Sequence, residues 1–122
     1  MDKAQAISGF WNSFGLPAYD ENTVPQDAVL PRITYSIATD SLENVVNLSA
    51  SIWYRTTSWK DITEKANEIE RRLGEYGGQV IDLSNGKVWI MKGTPFAQRM
   101  NDPDDSIRRI VINIQVEYLT AY

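Results

Sequence analysis

Cysteine and histidine are both missing from this chain of 122 residues. Without cysteine there are no disulfides, thiolate metal ligands or thiol nucleophiles. Without histidine, the commonest general base and the commonest metal ligand are gone too. Any catalysis would fall to carboxylates, lysine, serine or tyrosine. Long hydrophobic runs are also lacking: nowhere are there the 18 or so consecutive apolar residues of a membrane span, and MDKAQAISGF at the start carries an acid at Asp2 and no export-signal core. These absences predict a soluble protein with no export signal and no membrane contact. A cationic surplus is lacking as well. Twelve Lys and Arg stand against sixteen Asp and Glu, a net charge of -4, and the basic residues are scattered among the acids. That is the wrong footprint for gripping phosphate backbones, so sequence-specific nucleic-acid binding is not expected. With no repeat or low-complexity block, one domain spanning 1–122 is the expectation, and it is long enough to bury about two-thirds of its unfolded surface.

What is present is amphipathic patterning. Asp2 and Gln5 resemble a capping pair, and Ala4, Ile7, Phe10, Trp11 and Phe14 follow at helical spacing until Gly15-Leu16-Pro17. The chain from Ala18 to Pro31 has no period and reads as an extended surface connection. RITYSIAT (Arg32 to Thr39) alternates, and so does the run placing Val46, Leu48, Ala50, Ile52 and Tyr54 together, which predicts an antiparallel hairpin. Ser58 and Asp61 suggest a capping box before a helix whose apolar stripe is Ile62, Ala66, Ile69, Leu73 and Tyr76, with Glu68 and Arg72 spaced as an i,i+4 pair on the outer face. Asn85-Gly86 signals a two-residue hairpin turn that would set Leu83 opposite Val88 and Ile81 opposite Ile90. RRIVINIQVEY then places Ile110, Ile112, Ile114, Val116 and Tyr118 on one face. The reading is α+β: an antiparallel-rich mixed sheet with two helices packed on it, in the order α-β-β-α-β-β-β.

Between the last two strands lies KGTPFAQRMNDPDDSIRR, Lys92 to Arg109, with little apolar pattern. A connection this long is usually functional or disordered, which makes it the first place to look for a role. Asp102, Asp104 and Ser106 invite a calcium-loop reading, but the sixth place is Ile107 where glycine is required and the twelfth is Asn113 where a bidentate glutamate is expected. A turn begun by Asp102-Pro103 is the simpler account. Gly86-Lys87 lacks the upstream glycine and following Ser or Thr of a phosphate loop, and no nucleophile elbow or dinucleotide fingerprint occurs. No cofactor, metal or catalytic role is therefore expected. The features that stand out are large apolar groups on otherwise polar sheet faces: Trp53 among Asn47, Ser49, Ser51 and Arg55, and Trp89 with Met91 on the outer face of the predicted hairpin. Such groups suit a partner surface, or they are covered by a helix or by the Ala18 to Pro31 segment.

LPRITYSI, then NLSASIWYRTTSWKDITEKANEIERRL, then VWIMKGTPFAQRMNDPDDSIRRIVINIQVEY together resemble the small tail-terminator (tail-completion) proteins of long-tailed bacteriophages. The resemblance implies an α+β subunit of a homo-oligomeric, hexameric ring that caps the tail tube in the virion, at the head-proximal end, after synthesis in the host bacterial cytoplasm. It implies the tail tube protein and the head connector or head-completion protein as partners, DNA passing through the channel, and no catalysis. On that reading Pro95, Phe96 and Arg99, with Trp53, Trp89 and Met91, are candidates for contacts between subunits or between ring and tube. Asp40, Glu43, Asp102, Asp104 and Asp105 are candidates for an acidic channel wall that repels phosphates. The rival readings are another neck component or a tube subunit, and, from a different class, a small hydrolase with two carboxylates converging in a pocket.

Overall fold

The computed structural model describes residues 1–40 and 44–120. Its first helix, α1 (Lys3–Asn12), starts where the sequence says it should: the Asp2 carboxylate accepts from the Gln5 N–H at 2.8 Å, and the Gln5 side chain accepts from the Asp2 N–H at 2.9 Å. Together they satisfy two of the free donors at the helix start. The helix buries Ala6, Ile7, Phe10 and Trp11, and Phe14 follows just beyond its end. Phe10 meets both Trp11 and Phe14 edge-on, with centroids 4.9 and 5.2 Å apart. Ala4, at the margin of this stripe, is exposed.

Six strands form one sheet in the order β1-β2-β3-β6-β5-β4. They are β1 (Ala18–Asp20), β2 (Arg32–Tyr35), β3 (Val45–Arg55), β4 (Gln79–Leu83), β5 (Gly86–Met100) and β6 (Ile107–Thr120). The pairing is antiparallel except between β1 and β2. The α+β reading therefore holds, with one strand more than the pattern predicts. β1 lies inside what reads as a featureless connection, because three residues are too few to display a period. β2 is also shorter than its alternating run, although Ser36 prolongs the pairing by donating its N–H to the Ser49 carbonyl at 2.9 Å.

The second helix, α2 (Lys60–Gly74), connects β3 to β4 and lays Ile62, Ala66, Ile69 and Leu73 on the sheet. Burying each Ile or Leu of this stripe fully contributes roughly 1.5–3 kcal/mol. Three expectations for this helix need correction. The Ser58/Asp61 box does not form, since the helix begins one residue too late: Trp59 takes the cap position, and Ser58 Oγ accepts from the Lys60 N–H instead. Tyr76 lies past the helix end and is 89% exposed. Glu68 pairs with Lys65 at 3.0 Å, not with Arg72. Arg72 turns instead to α1, where it bonds Ser13 and stacks 4.0 Å from the Phe14 ring centroid. Lys65 Nζ also donates to the Phe14 carbonyl at 2.7 Å, so both cations tie the helices together.

α1 touches both edge strands, β1 and β4, and the N-terminal ammonium donates to Ser84 Oγ at 2.8 Å. Six strands laid flat span about 24 Å between their outer members, whereas a helix of ten residues is only about 15 Å long. The sheet must curl round the helices. Both helices share one face, where Ile33, Ile52, Val88, Ile90, Ile112, Ile114, Val116 and Tyr118 form the core, and the other face is open.

The largest correction concerns Lys92 to Arg109. Residues up to Met100 continue β5, and only 101–106 form the turn into β6. Lys92 pairs with Ile114 and Ala97 with Ile112, so five steps along β5 answer two along β6 and three residues bulge out. The β4–β5 turn moves too. Leu83 pairs with Gly86, so Ser84 and Asn85 form the turn, and Ile81 opposes Val88. Gly86 is needed as the first residue of β5, at φ +154°, where a Cβ would stand 2.3 Å from the Leu119 carbonyl oxygen. The two faces of the hairpin are unchanged by the shift, and only the partners move.

Candidate interaction surfaces

On the open face, β3 and β6 set Asn47 opposite Gln115, Ser49 opposite Asn113 and Trp53 opposite Arg109. The middle of this face is uncharged. At the end where β3 finishes, Trp53 is half-buried. Its Nε1 donates to Thr34 Oγ1 at 3.0 Å, and the Arg109 guanidinium lies 4.6 Å from its ring centroid while donating to Ser51 Oγ. Beside it runs a groove of about 390 Å³, lined by Ala28, Val29, Leu30, Arg32, Trp53, Arg55 and Ile107. The Ala18 to Pro31 segment therefore flanks Trp53 and leaves part of it open.

Trp89 and Met91 occupy the other corner of the open face. Trp89 pairs across the strand with Val80, which is 54% exposed, and its Nε1 donates to the Gly77 carbonyl at 3.1 Å, pinning the link between α2 and β4. Met91, half-buried, faces Gln115.

Pro95, Phe96 and Arg99 lie along β5 where β4 no longer covers it, since β4 pairs only as far as Ile90. Pro95 is exposed, and its carbonyl accepts from Asn113 Nδ2 at 2.9 Å. Proline and a bulge are devices that blunt a free sheet edge. Phe96 packs partly against the core. Arg99 stacks 4.7 Å from the Trp59 ring centroid, and Arg108 lies 5.4 Å from the same ring while donating to the Thr57 carbonyl. Trp59 thus fastens the far end of the β5–β6 hairpin to the start of α2.

The 101–106 turn is built by its own aspartates. Asp102 accepts from the Asp104 N–H at 3.0 Å, and Asp104 accepts from the Ser106 hydroxyl at 2.7 Å and N–H at 2.8 Å. The hydroxyl bond first, then the N–H bond and the neighbouring Arg55, hold the Asp104 carboxyl below the usual range. Asp105 is exposed. Asp40 sits at the opposite end of the sheet, where its carbonyl accepts from Lys3 Nζ at 2.8 Å. The length of β3, roughly 33 Å at 3.3 Å per residue, separates the two ends. Glu43 lies outside the described residues. The acidic candidates therefore do not share one patch.

Behind Trp53, on the helix side, Tyr54 faces a recess lined by Asp61, Glu64, Lys65, Glu68 and Arg71. Burial first, and then the charges of Asp61, Glu68 and Glu64, push the Tyr54 phenol up. Among the described residues, no group of three or more acidic side chains is placed to hold a metal ion.

Sequence reasoning marks Trp53 and Arg55 but not Arg32, Arg109, Trp59 or Arg108. Alternation shows which face each occupies, and only the pairing register brings Arg32 and Arg109 to Trp53 from different strands.

No family model matches the sequence, and no curated protein matches it. Among solved structures, the chain is similar to one from the "Virion of native gene transfer agent (GTA) particle". The TM-score is 0.54 at 11% identity, over 92% of this chain and 83% of that one. The likeness is one of fold, and it spans nearly the whole domain.

Proposed function

We propose that the protein is a structural virion subunit that forms a ring on the end of a phage tail tube, stops tube growth and joins the tail to the head connector. The observation that carries this reading is the fold shared over 92% of the chain with a protein of a gene transfer agent virion. The sequence resemblance to tail terminators narrows it to the tail end. The surfaces described above agree with work done by contact: half-buried tryptophans at two corners of an open sheet face, and a hairpin whose far end projects past β4. In this proposal the subunit carries no reactive groups for catalysis. DNA passes an uncharged or acidic wall without being held.

Electron microscopy of the purified protein, alone and added to polymerising tube protein, tests the reading. Closed single rings, and tubes that stop growing once capped, are expected. Long cylinders of this protein alone would make it a tube subunit instead. Particles that bind connector but not tube would make it a head-side neck component.

A further inference from the structure

Trp53 and Tyr54 are neighbours on β3, so their side chains emerge on opposite faces of the sheet. Around Trp53 stand Arg32, Arg55 and Arg109. Among the described residues neither Arg32 nor Arg109 has a carboxylate within ion-pair distance, and Arg55 has only Asp104 at 3.8 Å. Around Tyr54 stand Asp61, Glu64 and Glu68, of which Asp61 and Glu64 have no lysine or arginine within that distance. Arg71, seven residues beyond Glu64 on α2, and Lys65, held by Glu68 and the Phe14 carbonyl, form no ion pair with those two carboxylates. One end of the sheet therefore carries unmatched cations in front and unmatched anions behind. Being back to back, the two patches cannot serve each other within one subunit.

We infer that the Trp53 groove receives the Asp61–Glu64 rim of a second copy of this chain, as the repeating contact of the ring. The inference rests on the ring reading and adds to it which faces meet. Trp53, Leu30, Ile107 and Val29, the last 72% exposed, supply an apolar floor, and the arginines supply a charged border. Tryptophan and arginine are the residues that most often dominate interface energies. Because the two patches differ, the contact is head-to-tail, and such a contact closes into a ring when its rotation allows. The net charge of -4 makes copies repel at a distance. The local match then selects one docking register, as charge complementarity does at other interfaces.

The test uses two variants of the whole chain, Arg32→Glu/Arg109→Glu and Asp61→Lys/Glu64→Lys, with folding checked by circular dichroism. Each alone carries two patches of like charge, and its self-association, read as native mass against concentration, should weaken more than about a hundredfold. Mixed in equal amounts, the groove of each matches the rim of the other, and the mixture should regain the wild-type assembly with the two variants alternating. The Asp61→Lys/Glu64→Lys changes lie on an exposed helix face, so this variant remains informative if the arginine variant fails to fold. Wild-type-like assembly of Asp61→Lys/Glu64→Lys alone would overturn the inference, and so would a folded mixture that stays monomeric. Rings in the wild type that neither variant disturbs would remove this contact and leave the ring reading standing, whereas a wild type that neither exceeds monomer mass nor caps growing tubes removes both. Retention of duplex DNA by the wild type that Arg32→Glu/Arg109→Glu abolishes, with no change in mass, would assign the groove to phosphates and also overturn it.

Discussion

Gly93 has no room for a side chain: a Cβ there would stand 2.8 Å from the backbone of Asn113. The close approach of β5 to β6 at the start of the bulge depends on that missing atom. Gly93→Ala should force the strands apart and cost about 1–3 kcal/mol, as overpacking typically does. Urea unfolding followed by fluorescence would show the loss, and an unchanged midpoint would mean that the bulge has slack to move. Tyr118 poses the opposite problem, a polar atom in the core. Its ring is fully buried, its hydroxyl donates to the Ala38 carbonyl at 2.9 Å, and burial pushes the phenol up from 10.0 to about 12. Between those values the unfolded chain gives up this proton while the folded chain keeps it. The contribution is whole below pH 10, is lost as pH rises through the window, and stops changing above about 12. Tyr118→Phe should cost roughly 1 kcal/mol at neutral pH for the lost hydrogen bond. It should also lose less stability than the wild type between pH 10 and 12, which thermal melts across that range would measure.

Elements differ in how openly the sequence announces them. The Asp2–Gln5 box sets the start of α1, so Asp2→Ala should weaken the fold by about 1 kcal/mol, with Asp2→Asn close to wild type in a melting experiment. β6 is just as legible, because alternate Ile and Val from Ile110 to Val116 are all buried on one face. The second half of β5 is not. Gly93, Thr94, Pro95 and Phe96 interrupt the alternation, and three extra residues in the bulge break any period that could have marked a strand. What the sequence presents as a loop of eighteen residues is thus a long hairpin with a six-residue turn. Ser58 fails as a cap for a related reason: local signals cannot weigh Trp59, whose ring is claimed by Arg99 and Arg108 from across the domain. The candidate surface was legible only where it depended on alternation. Trp53 stands out as a large group on a polar face, but its company of Arg32 and Arg109 comes from strand pairing, which no local pattern encodes.

At the scale of the whole molecule, the hairpin turn at 101–106 places no side chain in the core. Residues 101–106 satisfy their own backbone through Asp102, Asp104 and Ser106, and reach the rest of the domain through Arg55 and Arg108. Removing all of Gly93 to Asp105 would tear out half of β5, so such a deletion could not separate assembly from folding. Replacing 101–106 with Asn-Gly can, because Met100 pairs with Arg109, so Asn-Gly together with Ile107 and Arg108 closes the hairpin as a four-residue loop, a common hairpin length, and keeps the strand register. The shortened protein should melt within a few degrees of the wild type, since surface changes away from packed features move stability by about 0.5 kcal/mol or less. If the turn is where the ring meets tube or connector, the shortened protein should still form rings yet fail to cap growing tubes or to join tails to heads, a split that electron microscopy of assembly mixtures would resolve. Normal capping and joining would confine the turn to a local structural role. On the proposed function, contact with tube and connector would then fall to other surfaces, with the Trp89, Met91 and Val80 corner the next to alter.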